Sequence, residues 1–439
     1  MKTLTIEYRT LKSLTPNPDN ARTHSKKQIR QIAKSIEQFG FRAPVLIDGK
    51  GLIIAGHGRV EAARKANLET IPTICCDDLS DAQVRAYMIA DNKLASGAGW
   101  DEVQLASEFD ALTKINFDLE LTGFEFAEIE AIYSAVEPEP DPDEDDAVPE
   151  IAADGQAVSQ VGDLWLLGEH RLFCGDSTDP SSYETLLGGD RAEMVFTDPP
   201  YNVAIQGHVS GLGKVQHREF EMASGEMSEQ DFTAFLRTVA SNLVTFSTNG
   251  SIHYICMDWR HAYELQAAAR GVYSEMKNIC VWAKTNGGMG SLYRSQHELV
   301  FVYKNGTAPH INNVELGKHG RYRTNVWRYA GANSFGKGRD ADLAAHPTVK
   351  PVALVADAIK DCSKRGGLIL DPFTGSGTIF LAAERTGRCA AGIELDPLYV
   401  DVAIRRFEAL AGRSAIHATI GESFGEVAAA RDSSASTFS

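Results

Sequence analysis

Four things are missing from this 439-residue chain, and each absence removes a class of protein. No run of about 18 apolar residues occurs, and the opening MKTLTIEYRT lacks the apolar stretch of an export signal, so no membrane contact is expected and the expected location is the cytoplasm. The seven cysteines (Cys75, Cys76, Cys174, Cys256, Cys280, Cys362, Cys389) are odd in number and never spaced as C-x-x-C. Neither a disulfide framework nor a zinc knuckle is suggested, no metal is expected, and the thiols read as small buried apolar groups. A phosphate-gripping loop of the form G-x-x-x-x-G-K-S/T is absent. So is any basic excess: the net charge is −16, which at first sight argues against a polyanion as partner.

Where the acid sits weakens that last exclusion. Residues 137–150, EPEPDPDEDDAVPE, carry eight acidic side chains and no basic one, half of the net charge of the whole chain. Local basic patches therefore remain available, such as Lys26, Lys27 and Arg30. The segment is rich in proline and poor in large apolar residues, so it reads as an extended linker between two domains. A chain of this length exceeds what a single core usually supports. Residues 421–439, ending SSASTFS, are small and polar and are expected to be a disordered tail.

Before the linker, Ile29, Ile32, Ala33 and Ile36 recur at helical spacing over 26–39, and Gly40 stops the helix. APVLI and LIIAG flank DGKG as a hairpin, VEAARKA continues as a helix, and IPTIC is a further strand. This predicts a small α+β domain over 1–95, with a mainly helical extension over 96–136. After the linker, AEMVFT, SIHYICM, NICVWA, LVFVY, GLILD and AAGIEL alternate with helical stretches, which predicts an α/β domain over 151–420 whose parallel strands are covered on both faces. Periodicity fades over about 286–343 into a stretch rich in Gly, Asn, Arg and Tyr, and an irregular insertion of that length points to function.

Two constellations carry chemistry. In the first, a buried strand ends at Asp371-Pro372-Phe373-Thr374-Gly375-Ser376-Gly377-Thr378 and a helix follows, while a second strand ends at Glu394, 19 residues after Gly375. A glycine pair alone is an ordinary strand–helix turn. With an acid at the end of the next strand, it is a place where backbone approaches a nucleoside and a carboxylate accepts from ribose hydroxyls. In the second, Asp198-Pro199-Pro200-Tyr201 follows the apolar strand AEMVF. Consecutive prolines hold a loop extended with its carbonyls free. Such carbonyls and Asp198 suit a base amine, whose lone pair is delocalised into the ring until its N–H groups find acceptors, and Tyr201 suits stacking on a base rotated out of the duplex.

These motifs resemble those of the DPPY-type DNA amino-methyltransferases, in the permuted beta arrangement in which the catalytic motif precedes the cofactor motif. The resemblance covers about 161–412. It implies a Rossmann-like α/β fold with a doubly wound mixed sheet, S-adenosylmethionine as cofactor and double-stranded DNA as substrate. Catalysis is then implied for Asp198, Pro199, Pro200 and Tyr201, and cofactor contacts for Asp371, Phe373, Gly375, Gly377, Thr378 and Glu394. His346-Pro347-Thr348-Val349-Lys350-Pro351 is similar to a family segment expected at the methionine end of the cofactor, which adds His346, Lys350 and Pro351. Cys174-Gly175-Asp176-Ser177 is similar to another, with Asp176 expected near the adenine. The stretch 286–343 is implied as the target-recognition region, with Arg294, Arg321, Arg323, Arg328 and Arg339 as candidates for contacts to phosphates or base edges. Methyl transfer is implied to the N6 amine of adenine, with the N4 amine of cytosine as alternative. Ring-carbon methylation of cytosine would need a nucleophilic cysteine after proline, and no Pro-Cys pair exists.

Residues 1–95 resemble a ParB-like nuclease-fold domain. The helix starting near Gly58 offers free N–H groups that suit a phosphate, assisted by Arg59, so a nucleotide is a candidate ligand there. Family members often carry G-E-R-R at this turn. Here it is Gly56-His57-Gly58-Arg59, which counts against hydrolysis, and His57 reads first as a capping or packing residue. Competing with the enzyme reading are a DNA- or nucleotide-binding module whose methyltransferase domain is secondary, and an amine substrate on RNA or a protein glutamine. Related enzymes often pair, so a homodimer is also in view.

Overall fold

The computed structural model describes residues 4–115, 117–136, 146, 148, 156–203, 225–285, 287, 292–316, 323–330 and 349–435. Contacts divide the chain into two compact units, Met1–Glu137 and Pro138–Ser439. Most of the acidic segment 137–150 lies outside the described residues. No described helix is long and apolar enough to cross a membrane.

The first unit runs β1 (Ile6–Thr10), α1 (Lys26–Phe39), β2 (Val45–Ile47), β3 (Ile53–Ala55), α2 (His57–Lys65), β4 (Thr70–Cys75), α3 (Asp81–Ala95), α4 (Glu102–Lys114) and α5 (Phe126–Val136). Its sheet has the order β1-β4-β2-β3. The Ser25 hydroxyl accepts from the Gln28 amide at 3.1 Å and starts α1, and Gly40, at φ 77°, ends it. Val45, Ile47, Ile53, Val60, Ala63 and Ile71 form the core. His57 opens α2 and its Nε2 accepts from the Asn17 amide at 3.3 Å, the packing role expected of it. Burial lowers its pKa, which keeps the ring neutral and able to accept.

In the second unit come β5 (Leu164–Leu167), β6 (His170–Cys174), α6 (Pro180–Leu187), β7 (Ala192–Thr197), α7 (Glu229–Thr245), β8 (Ser247–Met257), α8 (Ala262–Ala269), β9 (Glu275–Ala283) and β10 (His297–Lys304). They are followed by β11 (Val326–Arg328), α9 (Val352–Cys362), β12 (Leu368–Asp371), α10 (Thr378–Thr386), β13 (Cys389–Glu394), α11 (Pro397–Ala411), β14 (Ile416–His417) and α12 (Phe424–Ala435). One sheet of ten strands has the order β11-β9-β10-β8-β7-β12-β13-β6-β5-β14. Its centre, β8-β7-β12-β13-β6, is parallel. Strands β10 and β5 flank that centre antiparallel, so the sheet is mixed.

Pleating sends Met194, Phe196 and Ile369 into one apolar layer with Ile359, Phe380 and Phe407 of α9, α10 and α11. Val195, Leu370 and Ile393 enter the opposite layer with Tyr183, Phe232 and Leu265 of α6, α7 and α8. Helices on both faces of a largely parallel sheet make the unit Rossmann-like.

Two expectations need correction. The tail 421–439 is not wholly irregular: α12 forms because Phe424 and Val427 are buried in the first layer and Arg431 pairs with Asp163 at 2.8 Å. The stretch 286–343 is not one insertion. Val300, Phe301, Val302 and Tyr303 are buried in β10, which sits between β8 and β9 in the sheet.

Candidate active site

Strands β7, β12, β13 and β6 are consecutive neighbours and parallel, so the loops after them leave from one edge of the sheet. That edge is where doubly wound sheets bind ligands. The sequence motifs sit at these exits: Asp198 to Tyr201 after β7, Pro372 to Gly377 after β12, Glu394 at the end of β13, and Gly175 to Ser177 after β6. All of these but Asp176 and Gly377 line one cleft, with Lys350, Asp396 and Tyr399 completing its wall.

On the glycine side, Gly377 takes φ 84°, and a Cβ built there would meet the Ala403 Cβ at 2.7 Å. The turn therefore needs glycine both for its backbone and for the close packing of α10 on α11. Gly375, at φ 52°, has nothing within 4 Å of such a Cβ and borders open cleft. Its amide donates to Glu394 Oε2 at 2.8 Å, and the Asp396 amide donates to Oε1 at 2.9 Å. Burial pushes the Glu394 carboxyl up to about 7. Asp371 is pushed to about 7 for the same reason, although Thr197 Oγ1 at 2.8 Å and the Phe373 amide at 3.1 Å donate to its Oδ1. Those bonds tie the two motif loops together. Phe373 lines the cleft, and its ring lies 5.9 Å from that of Phe235. Thr378 Oγ1 accepts from buried Arg406 at 3.2 Å.

Asp198 lies in a knot of charges. Lys350 Nζ donates to its Oδ2 at 2.5 Å, and the Tyr201 hydroxyl donates to its Oδ1. The same ammonium is 2.9 Å from Glu298 Oε2, and the Tyr201 oxygen is 3.3 Å from that atom. Lys284 closes the group by donating to Glu298 Oε1. Burial raises Asp198 above the usual carboxylate range, against the pull of Lys350. For Glu298 burial acts the same way, but Lys350 and Lys284 prevail and bring it down to about 2. The two carboxylates keep the Lys350 ammonium charged despite its burial.

Of the cofactor residues expected from sequence, Phe373, Gly375, Thr378, Glu394, Asp371 and Lys350 line the cleft. Gly377 shapes it from behind, and Pro351 is buried at the start of α9. Asp176 turns to its own loop, where Oδ1 accepts from the Thr178 amide and hydroxyl at 2.7 and 2.8 Å. His346, Arg321 and Arg339 lie outside the described residues.

Arg323 is not free to meet DNA. It bonds Asp357 at 2.9 Å and Asp361 at 3.0 Å, clamping β11 to α9, whereas Arg294 and Arg328 are exposed. Sequence reasoning missed Glu298 and Lys284. The signal was an acid at the head of the apolar run LVFVY, where a charge needs a buried partner.

Residues 192–405 match the DNA methylase family, residues 2–92 the ParB N-terminal domain and residues 104–161 the ParB-methyltransferase HTH domain. The helical extension thus carries a helix-turn-helix match that composition did not reveal, and the match runs through the acidic segment. The chain is 28% identical over 248 residues to the type II methyltransferase M2.DpnII of Streptococcus pneumoniae, covering 53% of this chain and 88% of that protein. It is 52% identical over 80 residues to the ParB-like nuclease domain-containing protein YnaK of Escherichia coli, covering 18% of this chain and 92% of that protein. Among solved structures, the M1.HpyAVI complex with SAM is similar at 18% identity and a TM-score of 0.40, covering 54% of this chain and 97% of that one.

Proposed function

We propose that this chain, which belongs to the N6/N4 DNA methylase family through residues 192–405 and carries ParB-like and helix-turn-helix domains ahead of it, methylates the N6 amine of adenine in double-stranded DNA. The observation that carries the reading is the placement of Asp198-Pro199-Pro200-Tyr201 and of the Gly375/Glu394 cradle in one cleft. The cradle fits S-adenosylmethionine: Gly375 leaves room beside a carboxylate that suits ribose hydroxyls, and Phe373 and Ile379 supply apolar wall. That cofactor brings an electrophilic methyl group on a sulfonium sulfur.

The chain's own residues prepare the amine. Asp198 and a proline carbonyl of the loop accept its two N–H bonds, which withdraws the lone pair from the ring and aims it at the methyl carbon. As the new N–C bond forms, the methyl carbon's bond to the sulfonium sulfur breaks and leaves a neutral thioether; the amine gives up one proton, and Asp198, raised by burial, is placed to take it. The ring of Tyr201, at the cleft wall, offers a face for the extruded base. Adenine is favoured by the aspartate form of the motif. Cytosine N4 is the second reading, because it presents the same conjugated amine with two N–H donors. Incubation with unmethylated DNA and S-adenosylmethionine, followed by mass spectrometry of the nucleosides, separates the two bases. A homodimer acting in the cytoplasm, with a nucleotide at the N-terminal domain, completes the proposal.

A further inference from the structure

Both oxygens of Asp198 are already taken, Oδ2 by the Lys350 ammonium and Oδ1 by the Tyr201 hydroxyl. A carboxylate offers about four acceptor positions, so an arriving amine need not expel either donor, but it meets a carboxylate whose charge the ammonium already holds, and an ammonium only 5% exposed has no water to retreat into. Glu298 Oε2 lies within 2.9 Å of that ammonium and 3.3 Å of that hydroxyl oxygen. Two carboxylates thus compete for the same two donors. Lys284, bound to the other oxygen of Glu298, balances the group at two negative and two positive charges.

Resting on the amine-transfer reading above, we propose that Glu298 is a positioning residue that takes Lys350 off Asp198 as the substrate amine arrives, so that the charge of the catalytic carboxylate is held by the ammonium in the free enzyme and given to the amine in the complex. The ammonium moves between two acceptors that it already touches, so its charge is never left unpaired. The free enzyme correspondingly keeps Asp198 from ionising without a partner. Lys284 tunes the exchange: the more firmly it holds Glu298, the weaker that carboxylate's hold on Lys350.

The test uses the full-length protein, labelled methyl transfer from S-adenosylmethionine into unmethylated bacterial genomic DNA, and calorimetric cofactor affinity. Glu298→Gln leaves Lys350 on Asp198, so kcat is expected to fall by roughly ten- to a hundredfold with cofactor affinity unchanged, as for loss of one charge-assisted hydrogen bond. In a Lys350→Gln background there is no ammonium to move, and adding Glu298→Gln is expected to cost nothing further. An equal loss in both backgrounds would mean a structural role and overturn the proposal, as would no loss in either. Should Glu298→Gln not fold, Lys284→Met, at a side chain 28% exposed, reads the same competition with opposite sign. It frees Glu298 to hold Lys350, so kcat is expected to rise, and an unchanged or lower kcat would overturn the exchange. Wild-type protein that binds cofactor yet methylates no amine would overturn the transfer reading itself, an outcome separate from any variant effect.

Discussion

Glu394 and Asp198 are partly buried carboxylates given different work by their neighbours. Glu394 accepts two backbone amides and still sits near 7, because burial outweighs them. A carboxyl raised in this way stabilises the folded state below its ordinary range near 4.5, and that contribution is lost as pH rises towards about 7. Binding runs the other way, since the anion is the better acceptor for ribose hydroxyls. Cofactor affinity is therefore expected to increase as pH rises through about 7 and to level off above it, with one proton released on binding. Calorimetry in two buffers of different ionisation enthalpy checks this; affinity that is flat from pH 6 to 8 would remove the Glu394 anion from the interaction. Glu394→Ala should weaken the cofactor by about 1.5–3 kcal/mol. Asp198→Ala is expected to lower transfer by roughly a hundred- to a thousandfold, with cofactor affinity essentially retained, because the proposed reaction sets its carboxylate against the amine. A fall in affinity as large as the fall in rate would place Asp198 in the cofactor subsite instead.

At the scale of elements, the turn between β12 and α10 makes the cleft, and its two glycines do different things. Gly377→Ala forces a Cβ against Ala403 at positive φ and is expected to cost roughly 2–4 kcal/mol of stability. Gly375→Ala meets no atom and should cost only about 1 kcal/mol, while its methyl group narrows the cofactor cleft. Thermal melts with and without cofactor distinguish the two; a Gly377→Ala protein as stable as wild type would contradict the packing argument. The elements that sequence made legible were those with strong local pattern. The span of α1 was read residue for residue, and AEMVFT is β7 itself. Strands β1, β11 and β14 were not read, being edge strands whose partners lie far along the chain, and neither was the hairpin of β5 with β6, in which Leu167 faces His170. The candidate site was legible wherever a motif follows a strand, as at Asp198, Gly375 and Glu394. The pairing of Lys350 with Glu298 was not legible, because it depends on β10 and the start of α9 meeting across 52 residues of sequence. Arg323 misled for a related reason: nothing local announces that Asp357 and Asp361, one helical turn apart on α9, have already taken it.

Across the whole molecule, acid is concentrated where the two units divide, and the cleft lies within residues of the second unit alone. A protein of residues 138–439 is accordingly expected to fold and bind S-adenosylmethionine as the full chain does. Its transfer to DNA is expected to be weaker, since the ParB-like and helix-turn-helix matches lie mostly in the first unit. Loss of cofactor binding in a folded fragment would show that the first unit completes the site. The central claim, that the cleft joins a nucleoside cradle to an acceptor for a base amine, is tested most directly by nucleoside mass spectrometry after incubating the full-length protein with unmethylated DNA and S-adenosylmethionine. The account predicts N6-methyladenine from the wild type and roughly a hundred- to a thousandfold less from Asp198→Ala in the same time. Methylation at a ring carbon, or no methylated nucleoside from a protein shown to bind the cofactor, would contradict it.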